Sequence, residues 1–260
     1  GSANHIRYRS LPTFELSSTA FTIFADNAYL PASVAQAMQA SGTRALIIGR
    51  DSADFAIPTM QENTNTGVMT VGADGKLPFG STWTYHAYGQ IGRNFASYKT
   101  VNDPISDNLY AASDAVLNPA NGQIVCRSVL NGSASGADPG CVPLNIFGPG
   151  NASPKALDYI TGTAIQRVLV GQEVVEGSAS GELFDLPAGA VSLAVGAGYR
   201  AERGNQTTDA RSQEIRTGAG LAGFPTGGIP GFASGIANSL GGFERTNPQP
   251  TNGSYNVTEA

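Results

Sequence analysis

Hydrophobic and polar residues alternate with a period of two along two neighbouring stretches that are long for strands of a soluble domain. In residues 66–77 the apolar positions are Met69, Val71, Ala73 and Leu77. In residues 83–93 they are Trp83, Tyr85, Ala87 and Ile91, and the polar positions between them are Thr84, His86, Tyr88 and Gln90. The short segment 78–81 separates the two stretches. The pattern therefore predicts a long amphipathic β-hairpin.

The same alternation returns in residues 166–202, which divide around the sequence DLPAG at 185–189. In the returning half, the apolar positions are Val191, Leu193, Val195, Ala197 and Tyr199. The positions between them are small or polar: Ser192, Ala194, Gly196, Gly198 and Arg200. In a soluble β-sandwich the outer face would usually carry lysine, glutamate and threonine toward water. The pattern instead predicts a second hairpin with one face of apolar side chains and one face of small or polar side chains.

Long connections alternate with the short turns of these hairpins. Only residues 27–40 have helical features, since Asp26 or Asn27 can cap, Pro31 lies near the first turn and Ser41-Gly42 ends the segment. Outer-membrane β-barrels have this asymmetry of tight turns on one side and long loops on the other. The predicted fold class is all-β: an antiparallel transmembrane β-barrel segment of about five or six strands with long extracellular loops and one short helix.

The pattern divides the chain into six regions. We expect an extracellular loop region over 1–62, with the helix 27–40 and a strand extension over 44–53. A barrel hairpin over 63–95 and an extracellular loop over 96–163 follow. A second barrel hairpin over 164–202, a glycine-rich extracellular loop over 203–254 and the start of a further strand over 255–260 complete the chain.

Composition excludes several protein classes. Only 13% of the 260 residues are charged, whereas soluble domains average roughly 25%. The 33 glycines and 15 prolines argue against a helical bundle, and a net charge of -5 argues against a nucleic-acid partner. No apolar run reaches the roughly 18 residues that a membrane-spanning helix needs.

The cysteines Cys126 and Cys141 lie in a stretch rich in glycine, proline and asparagine. Two readings are open: a disulfide within a loop, formed in an oxidising compartment, or a pair of free thiols. Two cysteines are too few for a structural zinc site without help from histidine, and the chain has only His5 and His86, so no metal site and no cofactor are expected. No catalytic motif is present at a recognisable spacing, so the chain is not expected to be an enzyme.

Several segments resemble bacterial TonB-dependent outer-membrane receptors. ASDAV at 112–116, GQIVCRS at 122–128 and GCVPLNIFG at 140–148 are similar to an extracellular loop of that family. Residues 26–34 resemble its short outer helix. Residues 83–93, 189–202 and 253–260 resemble successive barrel strands. The resemblance runs from residue 24 to the end of the chain.

This resemblance implies a receptor in the bacterial outer membrane that binds and imports a scarce solute of the siderophore, cobalamin or oligosaccharide class. Its partners would be outer-membrane lipid, the small solute and the TonB system, which acts through a plug that this sequence does not contain. We therefore expect a central barrel segment that lacks the plug and the C-terminal strands.

Candidate ligand-binding residues follow from the barrel interpretation. Polar side chains at the barrel mouth would face inward, and these are His86, Tyr88, Gln90, Arg93 and Arg200. Aromatic loop residues could stack on a ligand or pack within their own loops, and these are Tyr98, Tyr110, Phe147, Tyr159 and Phe243. The alternative function is a secreted all-β adhesin or carbohydrate-binding module whose loops form a soluble binding face.

Overall fold

The computed structural model describes residues 1–10, 20–50, 52, 54–55, 57–78, 82–130, 140–215 and 241–260. Its strands are β1 (Ser2–Ser10), β2 (Ala20–Phe24), β3 (Ala45–Gly49), β4 (Thr59–Lys76), β5 (Thr84–Pro104), β6 (Ala115–Leu117), β7 (Ile124–Cys126), β8 (Thr161–Leu186), β9 (Gly189–Thr208) and β10 (Thr251–Glu259). Its helices are α1 (Ala32–Ser41), α2 (Ser106–Ser113), α3 (Arg127–Leu130), α4 (Pro154–Ile160) and a 3-10 turn at Arg211–Gln213. None of the described helices is long and apolar enough to cross a bilayer.

Six strands form one antiparallel sheet in the order β1-β4-β5-β8-β9-β10. The predicted all-β fold class is thereby confirmed. The sheet is open within the described residues, with β1 and β10 at its two edges. The turn between β8 and β9 is tight: Leu186 pairs with Gly189, whose φ of 130° is one that a side-chain-bearing residue rarely adopts.

The strands are longer than the predicted hairpins. The pairing of β4 with β5 runs from Lys76 and Thr84 to Thr59 and Val101, well past the predicted limits of 63 and 95. Likewise β9 continues to Thr208, beyond the predicted end at 202. Backbone hydrogen bonds extend a ladder through polar residues as readily as apolar ones, so the alternation of apolar residues marks only its middle.

Residues 2–10 were expected in a loop region, but they form the edge strand β1. It pairs with β4 from Ser2 opposite Val68 to Ser10 opposite Met60. The prediction was wrong here because only Ile6 and Tyr8 alternate with polar residues, which is too short a pattern to indicate a strand.

The long connections fold into a compact body beside the strand ends, which we call the loop unit: β2, β3, α1, α2, β6, β7, α3 and α4. Its core contains Phe21, Ile23, Phe55, Leu109, Ala112, Leu144, Ile146, Ala156 and Ile160. The single predicted helix is therefore joined by three further short ones. The predicted strand extension 44–53 is the shorter β3, which pairs with β2.

Helix α1 begins at Ala32 rather than at residue 27, because the side chain of Asn27 has other partners. Its Oδ1 accepts from the Tyr29 N–H at 3.0 Å and its Nδ2 donates to the Ser113 carbonyl at 2.9 Å. It therefore ties the loop leading to α1 onto α2 instead of capping a helix.

Cys126 and Cys141 form a disulfide, with their Cα atoms 6.2 Å apart. Of the two interpretations that the sequence left open, the structure contains the disulfide and not the pair of free thiols. Beside it, Arg127 forms ion pairs with Asp26 at 2.6 Å and with Asp114 at 2.9 Å. These hydrogen bonds, first that with Asp26, raise the pKa of Arg127. The disulfide and this ion-pair cluster hold three separate segments of the loop unit together.

The segment 241–250 is fastened to the end of β5. Asp103 is fully buried and accepts hydrogen bonds from the backbone N–H groups of Arg245 and Thr246 at 3.2 and 3.0 Å. Burial raises the pKa of Asp103 to about 7, although both N–H donors favour its ionised form. Of the predicted glycine-rich loop, residues 216–240 lie outside the described residues, as do residues 79–81 of the first hairpin turn and 131–139 of the middle loop.

Candidate functional site

The two faces of the six-stranded sheet differ in chemistry. Directly opposed residues of neighbouring strands share a face, so the register assigns each side chain to one of them. On one face, named the apolar face, the row through Ile91 contains Met69, Glu173 and Ala201, and the row through Gly89 contains Val71, Val175 and Tyr199. The other face, named the polar face, carries the residues that alternate with these.

Large apolar side chains of the apolar face are exposed. The exposed fractions are 64% for Val71, 54% for Ile91, 41% for Leu193 and 52% for Val195. A soluble β-sandwich would bury these four side chains under a second sheet. The structure thus leaves these apolar side chains exposed to whatever surrounds the sheet.

Hydrogen bonds between side chains run across the polar face over five strands. The Thr70 hydroxyl donates to Gln90 Oε1 at 3.1 Å, and Gln90 Nε2 donates to Gln172 Oε1 at 3.4 Å. Gln172 Nε2 then donates to Glu202 Oε1 at 2.9 Å, and Glu202 also bonds the Tyr255 side chain. We call these five residues the polar chain. It orders side chains on β4, β5, β8, β9 and β10 without any backbone contribution.

A shallow depression of about 260 Å³ lies on the polar face beside this chain. Its lining includes Tyr88, Gln90, Gln172, Glu176, Arg200 and Val257. The Tyr88 hydroxyl donates to Glu176 Oε2 at 2.7 Å, and the Arg200 guanidinium lies 3.7 Å from Glu202. Amide, carboxylate, phenol and guanidinium groups thus converge on one wall. Such a wall offers both donors and acceptors to a hydroxyl-rich or chelate-type ligand.

Four of the predicted inward-facing residues lie together on the polar face. Tyr88, Gln90 and Arg200 line the depression, and the ring of His86 lies with its centroid 5.9 Å from that of Tyr88. The parity of the alternation placed these residues correctly on one face.

Arg93 was predicted on the same face, and this is wrong. It is an odd-numbered residue of β5, so it shares the apolar face with Ile91. There its guanidinium bonds Glu173 at 2.9 Å, and Arg203 bonds the same Oε1 atom at 2.6 Å. Its charge suggested an inward position, but the period of two decides the face.

The aromatic loop residues serve the packing of the protein. Tyr110 and Phe243 are each only 2% exposed, so the prediction of ligand stacking does not hold for these two. Tyr110 packs near Phe21, and Phe243 packs with Ile105 and Ala164. Phe147 and Tyr159 are partly buried against the core of the loop unit, and Tyr98 is half-buried on the polar face.

The sequence interpretation missed Gln172 and Glu176, which line the depression, and Glu202 and Tyr255, which continue the polar chain beside it. Parity within β8 could have identified the first two, because Gln172 and Glu176 alternate with Glu173 and Val175. Glu202 and Tyr255 become neighbours only through the pairing of β9 with β10, which no local pattern specifies.

Comparison with known proteins gives no relative. No family model, no curated protein and no solved structure matches this chain. The fold and the chemistry of its surfaces therefore carry the functional argument. Within the residues that the structure describes, no group of three or more histidine, cysteine, aspartate or glutamate side chains could hold a metal ion.

Proposed function

We propose that the chain forms part of the wall and outer loops of a TonB-dependent outer-membrane receptor, which binds and imports a scarce solute. The observation that carries this proposal is the exposed apolar face opposite a hydrogen-bonded polar face on a single long antiparallel sheet. Barrel strands in outer membranes place apolar side chains toward lipid and polar side chains toward the lumen.

The apolar side chains along the apolar face form a band, which we call the apolar band. The height of this band supports contact with the lipid of an outer membrane. On β9 the apolar face reads Val191, Leu193, Val195, Ala197, Tyr199 and Ala201 without interruption. The ten steps from Val191 to Ala201, at roughly 3.4 Å each, span about 34 Å along the strand. At a strand tilt of about 40° this becomes a band about 26 Å tall, close to the roughly 25 Å of outer-membrane barrels.

Aromatic residues flank the band at both ends. Trp83 and Phe184 lie near the short turns, where Trp83 Nε1 donates to the Glu182 carbonyl at 3.0 Å. Phe95 lies at the opposite end, toward the loop unit. Aromatic girdles at both lipid–water boundaries are typical of transmembrane barrels.

The polar face is then the luminal wall, and the depression beside the polar chain contacts the solute. Amides and hydroxyls lie there beside three charged residues, Glu176, Arg200 and Glu259. This mixture suits a neutral or chelated polar solute, such as a siderophore, a cobalamin or an oligosaccharide, better than a strongly charged one.

A transport assay tests the proposal on the full-length protein that contains this chain. Cells that express it are given a ferric siderophore, cobalamin and a panel of oligosaccharides, each radiolabelled. We expect uptake of one class, and its loss in cells without TonB. The protein should fractionate with the outer membrane.

Two results would overturn the proposal. One is recovery of the protein from the medium, folded without detergent, as the alternative adhesin or carbohydrate-binding module requires. The other is uptake that is unchanged in cells without TonB.

A further inference from the structure

The apolar face turns strongly basic on the loop-unit side of the apolar band. Four exposed cations define this basic patch, namely Arg7, Arg9, Lys99 and Arg167. They come from three strands that are far apart in the sequence. The whole chain has a net charge of -5, so this concentration of positive charge on one surface is not a consequence of composition.

The register of the sheet fixes the dimensions of the basic patch. Arg7 lies opposite Asn63, which lies opposite Ser97, which lies opposite Arg167. Neighbouring strands are about 4.8 Å apart, so this row spans about 14 Å.

The next row, about 7 Å away, places Arg9 opposite Gln61 and Gln61 opposite Lys99. The four cations therefore face one area of about 14 by 7 Å.

No carboxylate in the described residues neutralises the basic patch. None of the four cations forms a salt bridge there, and the residues between them in the two rows are neutral: Asn63, Ser97 and Gln61. Arg7 is steadied by a hydrogen bond from its Nε to His5 Nε2 at 3.1 Å.

Nearer the band the arrangement differs, since Arg93 and Arg203 share Glu173. Charge compensation thus stops where the basic patch begins.

A groove of about 520 Å³ gives the patch a concave surface. Its lining consists of Arg7, Tyr8, Arg9, Gln61, Glu62, Asn63, Ser97 and Lys99. The register assigns Glu62 to the polar face, where its carboxylate accepts from the Thr64 hydroxyl. The amide and hydroxyl groups add uncharged hydrogen-bonding partners to three cations. Oxygen-rich anions are bound by this combination of charge and directed hydrogen bonds.

We propose that the basic patch binds the phosphate-bearing headgroup of an anionic lipid from the surrounding membrane. This inference rests on the proposed function, because it takes the apolar band directly beside the patch as the lipid-contacting surface. A lipid whose chains lie against the band places its headgroup at the level of Arg7 and Arg167. Free phosphate or an acidic protein would not need that continuity with an apolar surface.

The test uses the full-length protein in nanodiscs made of one part phosphatidylglycerol and three parts phosphatidylcholine. Lipids that stay bound after detergent extraction are counted by mass spectrometry. The variant carries Arg9→Gln, Lys99→Gln and Arg167→Gln. The control carries Arg44→Gln, Lys76→Gln and Lys155→Gln, which remove the same charge from exposed positions elsewhere.

We expect the wild type and the control to retain phosphatidylglycerol in excess over its share of the bilayer. The variant should lose that enrichment by at least about fivefold, since each cation near an anionic surface contributes appreciably to lipid attraction. Equal enrichment in variant and wild type would overturn the inference. So would displacement of the lipid by millimolar inorganic phosphate but not by chloride at matched ionic strength, which would indicate a site for free phosphate.

A spin label at residue 195 separates this inference from the proposed function. If the label contacts lipid in wild type and variant alike while phosphatidylglycerol is not enriched, only the headgroup inference fails. If the label does not contact lipid, the proposed function fails as well.

Discussion

Tyr88 on β5 donates its phenolic hydrogen to Oε2 of Glu176 on β8 over 2.7 Å. The bond crosses between the two central strands of the sheet and lies in the wall of the depression on the polar face. It therefore holds the phenol oxygen of Tyr88 and the carboxylate of Glu176 in place, as hydrogen-bond acceptors, where the proposed solute would bind.

Tyr88→Phe should weaken binding of the solute that the transport assay identifies by about tenfold, because it removes the phenol oxygen from the wall and releases the Glu176 carboxylate. Unfolding free energy should change by less than about 1 kcal/mol, because the bond is exposed. Equilibrium binding and denaturant unfolding measure the two effects.

Tyr85→Phe is the matched control, since Tyr85 lies on the apolar face of the same strand. It should leave solute affinity unchanged. Equal loss of affinity in both variants would contradict the assignment of the polar face as the binding wall.

The disulfide between Cys126 and Cys141 should stabilise the protein. Replacing Cys126 and Cys141 by serine opens a loop with a sequence separation of 15 and should cost about 3 kcal/mol of unfolding free energy in the chain-entropy model. Denaturant unfolding of the full-length protein measures this loss. Reductant should destabilise the wild type and leave the double variant unchanged, whereas equal sensitivity of both would contradict a structural role for the bond.

The ion pair between Arg50 and Asp54 should make the stability of the protein depend on pH. Asp54 accepts from Arg50 Nη2 at 2.8 Å and from the Gly150 N–H at 2.7 Å, and the Arg50 hydrogen bond lowers the pKa of Asp54 to about 2. A depressed pKa contributes stability that is complete above the ordinary value of 3.8 and is lost as the pH falls to about 2.

Asp54→Asn should therefore lower the midpoint of denaturant unfolding at pH 6. The difference between the midpoints of the variant and the wild type should shrink between pH 4 and 2. Arg50 also donates from Nε to the Ile146 carbonyl, so this variant leaves the rest of the contact in place. A difference that stays constant with pH would contradict the ion pair.

Period-two alternation was enough to assign faces, as Val71 and His86 show, and the number of strands followed nearly as well. It could not reveal β1, whose apolar pattern is only two residues long, nor the loop unit. There, contacts such as that joining Phe21 and Leu144 into one core link residues more than a hundred positions apart. Glu202 and Tyr255 were missed for the same reason, because they meet only through strand pairing.

A charge on the apolar face should be costly. Val195→Arg should destabilise the full-length protein in lipid vesicles by about 2–4 kcal/mol, the range for arginine near the middle of a bilayer. Ala194→Arg, one residue away on the polar face, should cost much less. Urea-induced unfolding from vesicles measures both, and equal effects would indicate that the two faces have the same environment.

Site-directed spin labelling tests the central claim most directly, because it reports what each face of the sheet contacts. Labels are placed at Val195 and Ile91 on the apolar face and at their neighbours Ala194 and Gln90 on the polar face, in the full-length protein in outer-membrane vesicles. Power saturation then compares collision with oxygen, which concentrates in lipid, against collision with a water-soluble nickel chelate. The account predicts that oxygen dominates at 195 and 91 and the nickel chelate at 194 and 90; dominance of the nickel chelate at all four positions would contradict it.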